Sequence, residues 1–223
     1  MAYTADPAQS LTMAWYHKLI SEAFDRLGIT LEYAVYPPLR ASTMLATGKI
    51  DVEGLRAAGY EDDNPDAVIV RESILTTKYG MATVNPEIQL ARLSDLKNQT
   101  YRVEYLRGVE PLGDMLEDTV TEGYLSAISS PEQGLQKLLV GRSDVFVDFP
   151  GRLSALIESL DLSLAGIQVD EFEDDIVVYP VLHRRHANLA QPLQQVLSEM
   201  KAQGLFEQYM EETRKVFLLP HDQ

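Results

Sequence analysis

Two stretches of this chain rhyme, and that doubling constrains the fold more than any other feature. Residues 43–55, TMLATGKIDVEGL, and 136–148, QKLLVGRSDVFVD, each run helix, glycine, basic residue, one further residue, aspartate, valine. Glycine there suits the left-handed position that ends a helix, and the apolar residues past each aspartate read as a strand. The rhyme is one supersecondary unit used in two places rather than a sequence repeat. Strand–helix–strand units build parallel sheets. A chain that uses the unit twice is expected to fold as two α/β lobes.

The first unit sits inside Tyr36–Tyr60. Pro37 and Pro38 stop the strand before them, because proline fixes φ and removes a ladder donor. Pro38 also suits the first turn of a helix, where its missing N–H is not needed. Leu39, Met44 and Leu45 fall on roughly one helical face, and Gly48 stops that helix. Ile50 and Val52 open a short strand, with Arg56 expected just past it. Open parallel sheets bind ligands beyond the carboxyl ends of their strands. Arg56 is therefore a candidate ligand contact, with a solvated loop arginine as the other reading. Tyr36 and Tyr60 flank the stretch and could stack on a solute or pack half-buried.

Before this unit, Ser10 is placed to cap a helix carrying Leu11, Trp15, Leu19, Ala23 and Leu27 at helical spacing, ended by Gly28. Trp15 lies among those apolar positions, so it either packs in the core or lines a cleft. Leu31, Tyr33 and Val35 read as an alternating strand. After Tyr60 comes an acidic run, EDDNPD at 61–66, which reads as solvated surface; its spacing matches no calcium loop. Strands are expected at 67–70 and 75–84, the second running into Asn85-Pro86 as a hinge candidate.

A fresh αβ pattern starts at Tyr101. It predicts a strand, the Arg107-Gly108-Val109 loop, a helix over 110–117, a strand over 124–128, a Ser129-Ser130-Pro131 cap and a helix over 132–140. A strand over 144–148 and a helix over 149–160 follow. Asp148 ends its strand as a ligand group or a helix cap, and Arg152, one helical turn on, can pair with it. A strand over 177–182 returns across the molecule, and Gly204 separates two last helices, 189–203 and 205–216.

Composition removes several function classes. Nineteen Lys plus Arg against 34 Asp plus Glu give a formal charge of −15, which disfavours nucleic acid and anionic lipid as partners. Cysteine is absent, so disulfides, thiolate metal sites and cysteine nucleophiles are excluded. No stretch reaches the roughly 20 apolar residues needed to span a bilayer, and Met1 leads into AYTADPAQ without a signal peptide. The four histidines, His17, His183, His186 and His221, lack metal-ligand spacing and adjoin no nucleophile elbow. No GxGxxG or GxxxxGK run is present. No catalytic residue, metal site or cofactor is expected.

With these residues in hand, the sequence resembles the bacterial extracellular solute-binding proteins of family 3, the type II periplasmic binding fold. The resemblance is carried by TLEYAVYPPLRASTMLATGKIDV, LSDLKNQTYRVEYLRG, SPEQGLQKLLVGRSDVFVD and VYPVLHRRHANLAQPLQQVLSEMKAQGLFEQY. It implies two lobes, each with a central, mainly parallel sheet flanked by helices, joined by a two-strand hinge that closes on a small polar solute. Residues 1–84 plus 183–223 would form one lobe, 85–182 the other. The implied protein is a periplasmic monomer, exported with its signal peptide removed, that serves an ABC-type transporter permease or a sensor and performs no chemistry. A sensor-kinase input module is one alternative, and a small-molecule dehydratase or lyase on the same fold is another.

Matched residue by residue, the resemblance assigns Asp148 to a ligand amine and the Arg107-Gly108-Val109 loop to an anionic oxygen. Amino-acid binders also carry an arginine for the α-carboxylate beyond the aspartate that matches Asp51. Residues 57–63, AAGYEDD, hold no arginine and three acids. Arg56 or Arg107 would have to replace that contact.

Overall fold

The computed structural model describes residues 1–109 and 112–217. Its elements in chain order are β1 (Ala2–Tyr3), α1 (Leu11–Arg26), β2 (Ala34–Val35), α2 (Pro38–Ala46), β3 (Val52–Ala57), α3 (Tyr60–Asp63), β4 (Ala67–Ile69) and β5 (Leu75–Thr83). Then come β6 (Val103–Leu106), α4 (Leu112–Glu117), β7 (Leu125–Ile128), α5 (Pro131–Leu139), β8 (Val145–Asp148), α6 (Pro150–Ser159), β9 (Gln168–His183), α7 (Ala190–Ala202) and α8 (Leu205–Phe217). Short 3-10 turns precede β6, at Leu93–Leu96, and α7, at Arg184–Leu189. Glu110, where the second-lobe helix was expected to begin, and His221 lie outside the described residues.

The chain divides into two compact units, Met1–Leu75 with Val178–Gln223, and Thr76–Val177. It passes from one to the other inside strands, within β5 and within β9. This is the two-lobe α/β fold of periplasmic binding proteins.

In the first unit β1 lies between β2 and β3, parallel to both, and the end of β9 runs antiparallel to β3 and β4. Ser10 caps α1 by accepting the Met13 N–H at 3.3 Å. The inner face of α1, Trp15, Tyr16, Leu19, Ile20, Ala23 and Phe24, packs with Leu193, Leu197 and Met200 of α7 and Phe206 of α8. A second cluster joins Ala41 and Leu45 of α2 to Ile50, Tyr60, Ile69 and Val181. The strand expected over Leu31–Val35 shrinks to two residues. Its side chains are exposed, so no packing extends the ladder.

In the second unit β6, β7 and β8 are parallel and β5 is antiparallel to β8. Val103, Leu106, Val145 and Val147 pack with Leu112 and Leu116 of α4. Leu135 and Leu138 of α5 pack with Phe146 and with Leu153 of α6. Gly80 of β5 is a close approach: a Cβ there would lie 2.5 Å from the Asp170 carbonyl oxygen of β9.

The rhyming turns close alike. Gly48 and Gly141 take φ of 67° and 65°. Lys49 N–H reaches the Met44 carbonyl at 2.8 Å, and Arg142 N–H the Lys137 carbonyl at 2.8 Å. Each bond is the six-to-one closure of a helix ended by a left-handed glycine.

Candidate functional site

In the first unit, Arg56 is neither past its strand nor solvated. β3 runs on through Ala57, and Arg56 is 6% exposed inside it. Its partner is Glu53, fully buried and three residues earlier. Residues three apart on a regular strand point to opposite faces. Here the β3–β9 register slips between Glu53 and Leu55, with Leu55 facing Pro180, which has no ladder N–H to lose. The bulge restores both charged side chains to one face.

Around that pair the buried polar groups close on themselves. Glu53 accepts from Arg56 Nη2, from the Ser42 hydroxyl at 3.3 Å and from the Tyr60 hydroxyl at 2.8 Å. Arg56 Nη2 also bonds Ser42 Oγ at 3.2 Å, and the Arg56 guanidinium lies 5.1 Å from the Tyr60 ring centroid. Burial, the main cause, pushes the Tyr60 hydroxyl pKa well up, so it stays a donor. The network ties α2, β3 and α3 together.

Tyr36 packs partly buried against the Ala41 and Tyr60 cluster, with the exposed Arg40 5.2 Å from its ring centroid. Trp15 is 4% exposed in the core, and its indole N–H donates to the Phe206 carbonyl at 2.9 Å. That bond fixes the start of α8 on α1, so its ring belongs to the helix packing. The acidic run after Tyr60 is also more than solvated surface. Its first residues form α3, and Glu61 accepts the Ile69 N–H at 3.1 Å and pairs with Arg71. Among the described residues no cluster of His, Asp and Glu could hold a metal ion.

In the second unit the expected residues gather at the carboxyl ends of β6 and β8, which are adjacent and parallel. Arg107 is exposed, and among the described residues its side chain has no hydrogen bond or ion pair. Gly108 takes φ of 82°, a turn that glycine makes without strain. The backbone of this loop is largely committed. Arg107 N–H donates to the Ile128 carbonyl at 3.0 Å and Val109 N–H to the Leu106 carbonyl at 3.3 Å. The Val109 side chain is buried in the core.

Asp148 has no exposed surface. Its Oδ1 accepts the Phe149 N–H at 2.8 Å, and Arg152 Nη1 bridges both carboxylate oxygens at 2.9 and 3.1 Å. Burial raises the Asp148 pKa and the Arg152 charge opposes that rise. The guanidinium lies 5.5 Å from the Phe149 ring centroid. Its i, i+4 spacing from Asp148 was legible; that the pair seals the aspartate from solvent was not.

A second buried carboxylate, Glu104 on β6, pairs with Lys137 of α5. It left no signal in the sequence, because YRVEYL alternates like any half-exposed strand. The three described histidines serve packing and latching. His17 Nδ1 lies 2.9 Å from the Tyr3 hydroxyl, His186 lies 2.7 Å from Asp51, and His183 Nδ1 accepts the Arg185 N–H at 3.1 Å. No described helix is long and apolar enough to cross a membrane.

No protein-family model matches the chain. A histidine kinase sensor domain with similarity to periplasmic binding proteins superposes with a TM-score of 0.72 at 15% identity, over 89% of this chain and 84% of its own. An ancestral arginine-binding protein bound to glutamine gives 0.70 at 17%, over 89% and 86%. At such identities the likeness is one of fold. An uncharacterized protein of Shewanella oneidensis is 33% identical over 217 residues, which cover 97% of this chain and 82% of that protein. With that identity over nearly its whole length, the chain belongs to the family of the Shewanella oneidensis protein.

Proposed function

We propose that the chain is a solute-binding protein of the periplasmic type, capturing a small polar solute without transforming it. The observation that carries this reading is the architecture, two α/β units joined by two strand crossings, shared at a TM-score of 0.70 with an amino-acid-binding protein. Family 3 of the extracellular solute-binding proteins, with export to the periplasm and delivery to an ABC-type permease, is the finer assignment that the sequence motifs favour. In this reading Arg107 meets the solute, while the Glu53–Arg56–Tyr60 network holds the carboxyl end of β3 in place. Binding acts by shifting the population of conformers, in proportion to its differential affinity for them.

A thermal-shift screen of the full chain against amino acids, polyamines, dicarboxylates and small peptides tests the reading. A ligand at 100 times its Kd adds roughly 2.7 kcal/mol of stability. A specific shift, with the compound recovered chemically unchanged, supports the proposal; silence across the panel sinks it, and turnover of the compound replaces it with a lyase or dehydratase reading.

A sensor input role is the second reading, favoured by the TM-score of 0.72 to a kinase sensor domain. Deleting the gene separates the two. A transport role predicts lost uptake of the bound solute, and a sensor role predicts lost induction by it with uptake intact.

A further inference from the structure

We infer that the second unit offers its solute Arg152 rather than Asp148, and that the solute group received there is a carboxylate. The inference rests on the solute-binding reading and names its substrate class. A carboxylate that binds a ligand ammonium must be reachable and must have acceptor capacity to spare. Asp148 is fully buried, and both of its oxygens are held by Arg152 Nη1, one of them also by the Phe149 N–H. The place an ammonium would take is occupied from within the chain.

Arg152 shows the reverse. Its side chain remains 21% exposed. Nη1 alone serves Asp148, and among the described residues Nε and Nη2 have no acceptor. A guanidinium presents its donors in a flat fork that fits a carboxylate bidentately. Asp148 and Phe149 hold that fork in position, so less side-chain entropy is lost when a ligand arrives.

The neighbouring strand adds a second cation. β6 and β8 pair in register at Glu104–Phe146 and Tyr105–Val147, and adjacent strands lie about 4.8 Å apart. The residues that follow them, Arg107 and Arg152, therefore emerge at the same edge of the sheet. Asp148 is neutralised there, and the exposed acids in the first turns of the helices that follow β6 and β7 are Asp114 and Glu132. Among the described residues neither acid forms an ion pair with Arg107 or Arg152, so both cations at this edge stay available to an anion.

The test is calorimetric titration of the full chain with three probe classes: C4 to C6 dicarboxylates such as glutarate, amino acids such as L-glutamate, and diamines such as 1,5-diaminopentane. The expected result is binding of dicarboxylates without any need for an amine. Arg107→Gln should weaken that binding roughly tenfold, the value of a charge-assisted hydrogen bond. Asp148→Asn should weaken it only modestly, since the amide oxygen can still accept from Arg152 Nη1, whereas a subsite built for an ammonium would lose its counter-charge and its binding.

Arg152→Gln leaves Asp148 buried without its charged partner, so a loss of binding in that variant is mixed with a loss of stability. The double variant Asp148→Asn/Arg152→Gln carries no buried unpaired charge, and its expected result is a folded protein with dicarboxylate binding lost. Binding restricted to amine-bearing probes and abolished by Asp148→Asn overturns this inference and leaves the solute-binding reading standing. Dicarboxylate binding unaffected in the folded double variant likewise overturns it alone. A chain that binds nothing in any class overturns both.

Discussion

The two rhyming segments share a scaffold and differ in what they do with a buried carboxylate. Both helices end on a left-handed glycine, and the aspartate three residues past each glycine receives an arginine from elsewhere in its own unit: Asp51 from Arg185, Asp144 from Arg102. That much is framework. Downstream the units diverge. In the first, the acid is Glu53, and Arg56 is drawn into the interior beside it by a bulge. In the second, the acid is the strand-end Asp148, and its arginine comes from the next helix with part of its surface exposed. A repeated unit thus supplies geometry twice, while the ligand-facing chemistry is set by a few residues after it.

The two units part most sharply at their buried pairs. Arg56→Met strands Glu53 in the interior and should cost about 3–5 kcal/mol, measured by urea denaturation. Arg152→Gln should cost less, about 1.5–3 kcal/mol, as for a lost charge-assisted bond, because Asp148 can then take up a proton. Equal losses at the two sites would mean that the pairs are equally sealed.

The turns come next. Gly141→Ala should cost about 1–2 kcal/mol for a left-handed alanine, since nothing lies within 4 Å of its new Cβ. Gly48→Ala should cost more than Gly141→Ala in the same melts, because its Cβ would come within 3.1 Å of Arg185 Nη1.

Smallest are the pH effects, and within the second unit they have opposite signs. The hydrogen bond from Arg102 lowers the Asp144 pKa. Its stabilisation is therefore present above the ordinary carboxylate range and is lost as pH falls through the lowered value. Asp144→Asn should flatten that acid limb by at most about 1 kcal/mol, the scale of a surface pair. Burial raises the Asp148 pKa, so its contribution is present below the ordinary carboxylate value and is lost as pH rises through the raised one. Asp148→Asn should remove that decline. Stability-versus-pH curves of the two variants that bend in the same direction would refute the contrast.

Much of the fold was legible because it rests on local chemistry. Ser10 and Ser130 cap helices through their own hydroxyls, and Pro38 opens α2 as the residue type demands. The two glycines end helices that the apolar spacing had outlined. What stayed hidden depends on partners distant in sequence. Nothing in VEGLRA announces a bulge; it follows from the strand opposite, where Pro180 sits, so Arg56 read as a loop residue. Trp15 was ambiguous on its own helix and is decided by Phe206, far along the chain. Asp148 and Arg152 were visibly a pair, but only the surrounding packing turns that pair from a surface contact into a sealed carboxylate.

The division of the chain also sets an order of assembly. The second unit is continuous, Thr76–Val177, whereas the first needs Met1–Leu75 together with Val178 onward. During synthesis the inserted unit can gain its complete set of contacts while the earlier residues still lack the strand and helices that finish their core. A domain emerging vectorially tends to fold as a unit. The N-terminal residues of this chain must therefore wait, with α1 and its apolar face uncovered, until the ribosome has delivered β9, α7 and α8.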